Sequence, residues 1–478
     1  MRRTSGRMVR RFCSNTERKV RMTLSRKAKS LPEGFNPITD GVIWKQLLVF
    51  FFPILLGTFF QQLYNTTDAV IVGQFVGKEA LAAVGGATGT ILSIIVNLLV
   101  GVASGTTVIV AQFYGARNYE GVGRAVHTSV ALSLAGGAVL MVIGLLISDW
   151  ALTAMGTTPD VMDYASTYLR IYFLGTIPSF LYNIGAGILR AVGDTKRPLY
   201  YLIAACLLNI VLDLIFVAGL GMEVLGVALA TILSQTLSAV LTCISLIRAK
   251  GPYRVFVKRI RFYKQELKSV LFVGIPAGLQ SNMYAISNLL IQAGVNSFGT
   301  DTMAAWTAFG KIDGFFWMIS GAFGIAITTF AGQNYGAGRI DRVRRSTWIC
   351  AGMQSGVAVF MSVLMCSCAP WLIRIFTQDE AVIQIGLVMA WYMMPFYICF
   401  VLVEVLSGAI RGCGDALRPM IIVGLGICLF RVVWMFVALP IRHELDSILV
   451  SYPVSWVITS LLFLAYYKWG HWAERAKR

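Results

Sequence analysis

What most limits the folding of this chain is its succession of apolar stretches, each long enough to cross a bilayer. A bilayer's hydrocarbon core is ~30 Å thick and takes about 20 apolar residues per helix. Within it every backbone N–H and C=O must find a partner, so spanning segments of this length are helices. The stretches fall at 46–72, 81–113, 124–148, 163–189, 199–220, 224–247, 268–296, 303–333, 346–373, 383–410, 419–441 and 447–467. Several are longer than a perpendicular span needs, which implies tilt or projection beyond the lipid. Charged residues are 13% of the chain and hydrophobic ones 57%, whereas soluble domains carry about 25% charged residues. A water-soluble fold is excluded. The expected class is all-α polytopic membrane protein with twelve transmembrane helices.

The net charge of +18 suggests nucleic acid only if the basic residues form one folded patch. Instead most of the 41 lysines and arginines lie in the N-terminal 45 residues, the C-terminal tail and alternate loops at 114–124, 190–198, 248–268, 338–345 and 411–418. The other loops hold only Lys78, Arg374 and Arg442. Positive residues stay on the cytoplasmic side, so both termini are expected there, with no nucleic-acid partner. The first 35 residues are expected to be disordered or to lie on anionic lipid, and Met22 is an alternative start. No cleavable signal peptide is recognised. The nine cysteines lack paired metal-ligand spacing and read as small packed hydrophobes.

The two halves repeat one another. Arg190-Ala-Val-Gly193-Asp194-Thr-Lys-Arg197-Pro198 returns as Arg411-Gly-Cys-Gly414-Asp415-Ala-Leu-Arg418-Pro419, and Gln112-Phe-Tyr114-Gly115-Ala116 as Gln333-Asn-Tyr335-Gly336-Ala337. Gly77-Lys-Glu79 with Ala82-Ala83 matches Gly299-Thr-Asp301 with Ala304-Ala305. Pro53 and Pro276 open the first helix of each half and are candidate hinges, because proline removes a helical hydrogen bond. Six spans per half is an even number, so both halves enter the membrane from the same side as a parallel repeat. The expected organisation is a basic segment at 1–45, a six-helix bundle at 46–247, a cytoplasmic linker at 248–267, a second six-helix bundle at 268–467 and a tail at 468–478. Transporters built from such repeats bind substrate between the halves and rock them to alternate access. In the Gly-Asp/Arg-Pro loops, proline suits the first turn of the next helix, and the preferred reading is a stable turn.

Pro53 to Gly73, with Gln61-Gln62-Leu63-Tyr64-Asn65 and Asp68, resembles the first helix of multidrug and toxic compound extrusion (MATE) transporters, of the multidrug/oligosaccharidyl-lipid/polysaccharide flippase superfamily. Leu81-Ala-Ala-Val-Gly85 and Leu189 to Pro198 are similar to later signatures of that family. The resemblance covers residues 40–467. It implies two six-helix bundles and cation-coupled export of organic compounds.

Ionisable residues within a span are costly and mark function by default. Here they are Asp68, Asp213, Lys311, Asp313, Glu404 and Arg431. Asp68 ends a polar stripe with Gln61, Tyr64 and Asn65; Asn209 and Asp213 share a face of the fifth helix; Thr231, Gln235, Ser238 and Thr242 form a stripe on the sixth. At 1.5 Å per residue, Asp68, Asp213 and Thr231 all fall roughly 10 Å below the outer surface. Their oxygens suit a proton or a hard cation such as sodium. The resemblance assigns the cation site to Asp68, Asn209 and Asp213, with Thr231 as a further ligand. No other metal and no cofactor is expected.

The second half departs from this pattern. The positions of Asn209 and Asp213 fall, at constant offset, on Phe430 and Trp434, beside Arg431. The seventh helix offers Gln280, Tyr284, Ser287, Asn288 and Gln292 but no acid, which leaves Asp313 and Glu404 as substitutes. The expected substrate cavity therefore comprises Gln61, Tyr64, Asn65, Gln235, Gln280, Tyr284, Asn288, Asp313 and Glu404. Trp306, Phe309, Phe315, Phe316 and Trp317 read as packing surface, or as a pocket for aromatic cations.

The function expected is an antiporter coupled to H⁺ or Na⁺ that exports organic, cationic or amphipathic compounds from the cell, acting as a monomer in the cell membrane. A lipid-linked oligosaccharide flippase needs a strongly cationic cavity, against which the acidic first half argues. An enzyme needs a base, nucleophile or metal cluster, and His127, His443 and His471 stand far apart. A channel needs a filter of carbonyls or charge rings, and none is recognised. Protons are preferred to sodium, because only one amide and one hydroxyl accompany the acids.

Overall fold

The computed structural model describes residues 36–473; the N-terminal expectations for residues 1–35, and the end of the tail, lie outside the described residues. All regular structure among the described residues is helical. It forms twelve spans, each within a few residues of its expected place and generally longer. The first half has Ile43–Phe75, Lys78–Gly115, Tyr119–Ala154, Pro159–Leu174 with Thr176–Ala191, Lys196–Gly219 and Glu223–Ile247. The second has Lys264–Asn296, Thr300–Gly336, Ile340–Arg374, Glu380–Gly412, Leu417–Ile441 and Leu445–Trp469.

Ten of these pass as single apolar spans, and the fourth passes as a pair of helices bent by 50°. Only the seventh falls short in apolar character. Gln280, Ser281, Asn282, Ser287, Asn288 and Gln292 dilute it, yet its 33 residues reach about 50 Å at 1.5 Å each. Pro53 and Pro276 do not open their helices as expected. Each lies well inside one continuous helix, after Ile43 and Lys264 respectively.

Turn chemistry sets the boundaries. Asn118 accepts a hydrogen bond from the Gly121 N–H to cap the third span, and Asp379 caps the tenth through Ala381. Gly193 and Gly414 hold φ of 104° and 93° in the two repeated loops, a conformation that costs a residue with a Cβ.

An even number of spans puts residues 36 and 473 on one face, here called proximal. The halves meet toward that face. Glycines let the second and seventh spans touch backbone to backbone: a Cβ on Gly101 would stand 2.3 Å from the Gly278 nitrogen, and one on Gly105 would stand 2.3 Å from the Val270 carbonyl oxygen. Close approach through small residues is how helices gain packing energy in lipid. Nearer the proximal face, Gln112 Nε2 donates to the Gly412 carbonyl at 2.8 Å, and Gln333 Nε2 donates to the Ala191 carbonyl at 2.6 Å. Both partners of each bond are repeat equivalents, so the halves are latched reciprocally. Arg124 adds a cross-half ion pair to the buried Glu266 at 2.6 Å.

Residues before the first span reach across as well. Asn36 donates to Gln333 Oε1 at 2.8 Å, Asp40 pairs with Arg339 at 2.8 Å, and Arg339 donates to the Thr39 carbonyl at 2.6 Å. Phe51 stacks on Phe323, with ring centroids 4.2 Å apart. On the distal side of the Asn282–Ile94 hydrogen bond (3.0 Å), the inner helices carry exposed residues instead, among them Gln61, Asn65, Asn288 and Leu289. The molecule is therefore closed at its proximal face and open at its distal face.

Candidate functional site

The first half contains a cavity of about 530 Å³, lined by the first, second, fourth and fifth spans with Gln235 and Ile325. Pro53, Gln61, Tyr64, Asn65 and Asp68 line it from the first span. Thus Gln61, Tyr64 and Asn65, expected in a substrate cavity, share one wall with Asp68, and Gln235 lines the same cavity from the sixth span.

Behind that wall stand the other cation-site candidates. Asp68 is 5% exposed, Thr231 2%, and Asn209 and Asp213 are fully buried. Thr231 Oγ1 donates to Asp68 Oδ2 at 3.4 Å, and Asn209 and Asp213 also lie against the Asp68 carboxylate. Contact stops short of well-formed hydrogen bonds. Asp68 Oδ1, both Asp213 carboxylate oxygens and both polar atoms of the Asn209 amide are buried without a partner. Buried polar groups are nearly always paired, so five unpaired atoms in one place define a site that binding would complete. Two carboxylates this close in low dielectric cannot both ionise cheaply. A proton shared between them, or a cation held by their oxygens with Asn209 Oδ1 and Thr231 Oγ1, would satisfy the set. The fifth span leaves the α-helical register just after Asp213, in a π-helical turn over Leu214–Gly219, a feature frequent at functional sites.

Two lining residues were not found from sequence. Tyr168 and Tyr172 of the fourth span close the cavity beside the acid, with ring centroids 6.2 Å apart. Their one-turn spacing was the available signal; the charge between them, Arg170, lies on another face and pairs with Asp149 of the third span. Arg190 also lines this cavity.

The second half is built differently, and one alignment made from sequence needs correction. In the eleventh span the π turn is Gly424–Leu429, before the positions compared rather than after them. A π turn inserts one residue, so Arg431 rather than Phe430 takes the face of Asn209, and Met435 rather than Trp434 takes that of Asp213. Contacts agree with this register. Arg431, 3% exposed, lies over the Tyr452 ring at 3.9 Å, and Tyr452 is the repeat equivalent of Thr231. Its Nε donates to Ser455 Oγ at 2.9 Å. Where the first half gathers acids, the second holds a fixed guanidinium.

The remaining second-half candidates are not brought into the described cavity. Asp313 is buried and accepts from Trp317 Nε1 at 2.6 Å and from the Tyr397 hydroxyl. Glu404 presses on Gly324, Gln280 is buried, Tyr284 is half-buried and Asn288 is exposed. Lys311 is exposed two residues from Asp313, on another face of the helix.

A protein-family model, MatE, matches the chain twice, at residues 53–215 and 276–437. The chain belongs to the MatE family. The two matches fall one on each half, as the repeat requires, and the protein is a multi-pass membrane transporter of that family. It is 26% identical over 440 residues to a probable multidrug resistance protein, YoeA, of Bacillus subtilis, covering 89% of this chain and 94% of that one. It is 25% identical to the probable multidrug resistance protein NorM of Thermotoga maritima, covering 91% and 94%. Among solved structures, a MOP superfamily transporter from Pyrococcus furiosus superposes with a TM-score of 0.85 at 22% identity, covering 92% of this chain and 98% of that one. That likeness is one of fold.

Proposed function

We propose that this MatE protein exports organic, cationic or amphipathic compounds from the cell in exchange for a coupling cation, acting as a monomer in the cell membrane with both termini cytoplasmic. The observation that carries the reading is the set of unpaired oxygens on Asp68 and Asp213, buried with Asn209 and Thr231 behind the cavity wall. The names of the multidrug resistance relatives support the cargo class, and the alternate basic loops support the orientation.

With the proximal face cytoplasmic, the described state is open to the outside. A cation arriving from outside binds Asp68 and Asp213 and removes the repulsion between them. The first span carries Asp68 and much of the cavity wall, and Pro53 has already deprived it of one backbone bond; its rearrangement expels the bound compound. The halves then rock about the glycine seam, the proximal latch opens, and the cation leaves toward the cytoplasm. One net charge crossing ~100 mV gains about 2.3 kcal/mol, enough for roughly a 40-fold gradient of a cargo without net charge; a monovalent cationic cargo is driven instead by the coupling ion's own concentration gradient. Protons are the preferred ion, since Asn209 and Thr231 add only two oxygens to the acids.

The experiment is dye export from proteoliposomes under an imposed proton or sodium gradient, comparing wild type with Asp68→Asn. Gradient-driven export is expected of the wild type and not of the variant. Equal export by both removes Asp68 from the coupling.

A further inference from the structure

We propose that Arg190 forms an anion-binding subsite at the proximal end of the first-half cavity, fitted to a carboxylate or similar oxyanion on the exported compound. The inference rests on the export reading above and narrows its cargo to compounds that carry an acidic group as well as a basic one.

Arg190 ends the fourth span and lines the cavity. Its Nε is buried with no hydrogen-bond partner, and it makes no hydrogen bond or ion pair with any described residue. A carboxylate stands close by in the chain but is committed elsewhere. Asp194 holds Arg197, with Oδ2 3.1 Å from Nε and Oδ1 accepting from the backbone N–H at 3.1 Å. The second half repeats the arrangement. Asp415 pairs with Arg418 at 3.0 Å and accepts from the Tyr466 hydroxyl at 2.7 Å, leaving Arg411 Nε buried and unpartnered. In both halves the loop neutralises its second arginine and leaves the first to the interior; there Arg411 faces the buried Glu404, whereas no acid among the described residues faces Arg190.

A guanidinium with a buried Nε is costly unless something pairs with it. The C-terminal end of the helix offers a favourable dipole, but that supplies no acceptor for the guanidinium donors. The donor fork matches a carboxylate or phosphate in bidentate fashion. Because Arg190 lines a cavity, a partner can reach it.

The cavity is therefore bipolar. Gly57 packs level with Leu199 and Leu202 near its proximal end, and Asp68 stands three turns further along the first span, roughly 16 Å away at 1.5 Å per residue. An organic zwitterion with an apolar body can direct its basic group toward Asp68 and its acidic group toward Arg190, with Tyr168 and Tyr172 against the body between them.

The test uses two dyes that share one xanthene body: rhodamine 123, a cationic methyl ester, and rhodamine 110, the free acid. Binding to the purified full-length protein is read by fluorescence anisotropy against empty micelles. Wild type should bind the free acid roughly tenfold more tightly than the ester, the size expected of a hydrogen-bonded charge pair. Arg190→Gln should abolish that preference, Arg190→Lys should retain part of it, and Asp68→Asn should leave the ratio unchanged. The wild-type ratio and Arg190→Lys decide the matter if Arg190→Gln fails to fold. Equal binding of the two dyes by wild type, or a preference that survives Arg190→Gln in folded protein, overturns the subsite. Export of the free-acid dye by proteoliposomes is scored separately. Its loss with the ratio intact would overturn the export reading and leave the subsite standing, whereas intact export without a preference overturns the subsite alone.

Discussion

The reciprocal glutamine bonds allow the energy of the closed proximal face to be measured. Gln112 bonds the Gly412 carbonyl and Gln333 the Ala191 carbonyl, at 2.8 and 2.6 Å. Each is a neutral hydrogen bond worth about 1 kcal/mol net, and each exists only while the proximal ends of the halves meet. With the bond that Gln333 also accepts from Asn36, replacing both residues with alanine removes three such bonds and should favour the proximally open state by about 3 kcal/mol, on the order of a 150-fold change in its ratio to the distally open state. The two single variants should differ. Gln333 also accepts from Asn36 at 2.8 Å, so Gln333→Ala loses a second cross-half bond and should shift the ratio further than Gln112→Ala. Spin labels at Lys78 and Thr300, equivalent distal positions in the two halves, report the states by double electron–electron resonance in a cysteine-free background. The long-distance population should dominate in wild type and give way to a short one in the double variant. An unchanged distance distribution in a folded double variant refutes the latch, and equal effects of the two single variants refute the role of Asn36.

Three further outcomes follow from the same geometry. Gly101→Val places side-chain atoms where the Gly278 backbone already stands within 2.4 Å; overpacking of this kind costs about 1–3 kcal/mol, and the same spin labels should show the seam forced toward the proximally open state. A cysteine pair at Phe75 and Ser297, at the distal ends of the first and seventh spans, should crosslink only when those ends meet, and crosslinked proteoliposomes should lose export; normal turnover would contradict rocking of the halves. The Asp40 carboxyl is held below the ordinary carboxylate range, first by the Asn36 backbone N–H and then by Arg339. A lowered pKa means that its contribution is complete above about pH 4 and is lost as the pH falls through the lowered value. Amide exchange of residues 36–41, corrected for intrinsic rate, should therefore accelerate in that acid range, and Asp40→Asn should remove the pH dependence.

Much of this was legible in the sequence, because lipid imposes simple demands. A span must be apolar and long, so all twelve helices could be placed, even the seventh with its polar residues. The first-half acids were legible for the complementary reason, that a carboxylate in a span stands out. Features that depend on local register were not. The π turn in the eleventh span has no composition signal, and without it Arg431 was set one residue away from the face it takes. Gln112 and Gln333 were visible as a repeat, but their acceptors are backbone carbonyls at Gly412 and Ala191, which only the meeting of the halves brings near. Asp313 looked available as a lone acid, whereas Tyr397 and Trp317 already occupy it. Arg190 read as part of a stable turn, and the loop is one; the sequence could not tell which of its two arginines Asp194 would take.

The central claim is that cation binding at Asp68 and Asp213 drives export. Its most direct test is dye efflux from proteoliposomes carrying an imposed pH gradient in the complete absence of sodium, with Asp68→Asn measured alongside. The account predicts efflux by wild type, dissipated by a protonophore and absent from a correctly inserted Asp68→Asn. Efflux that needs an inward sodium gradient and ignores the pH gradient would transfer the coupling to sodium at the same oxygens. Full efflux by Asp68→Asn under either gradient would contradict the claim itself.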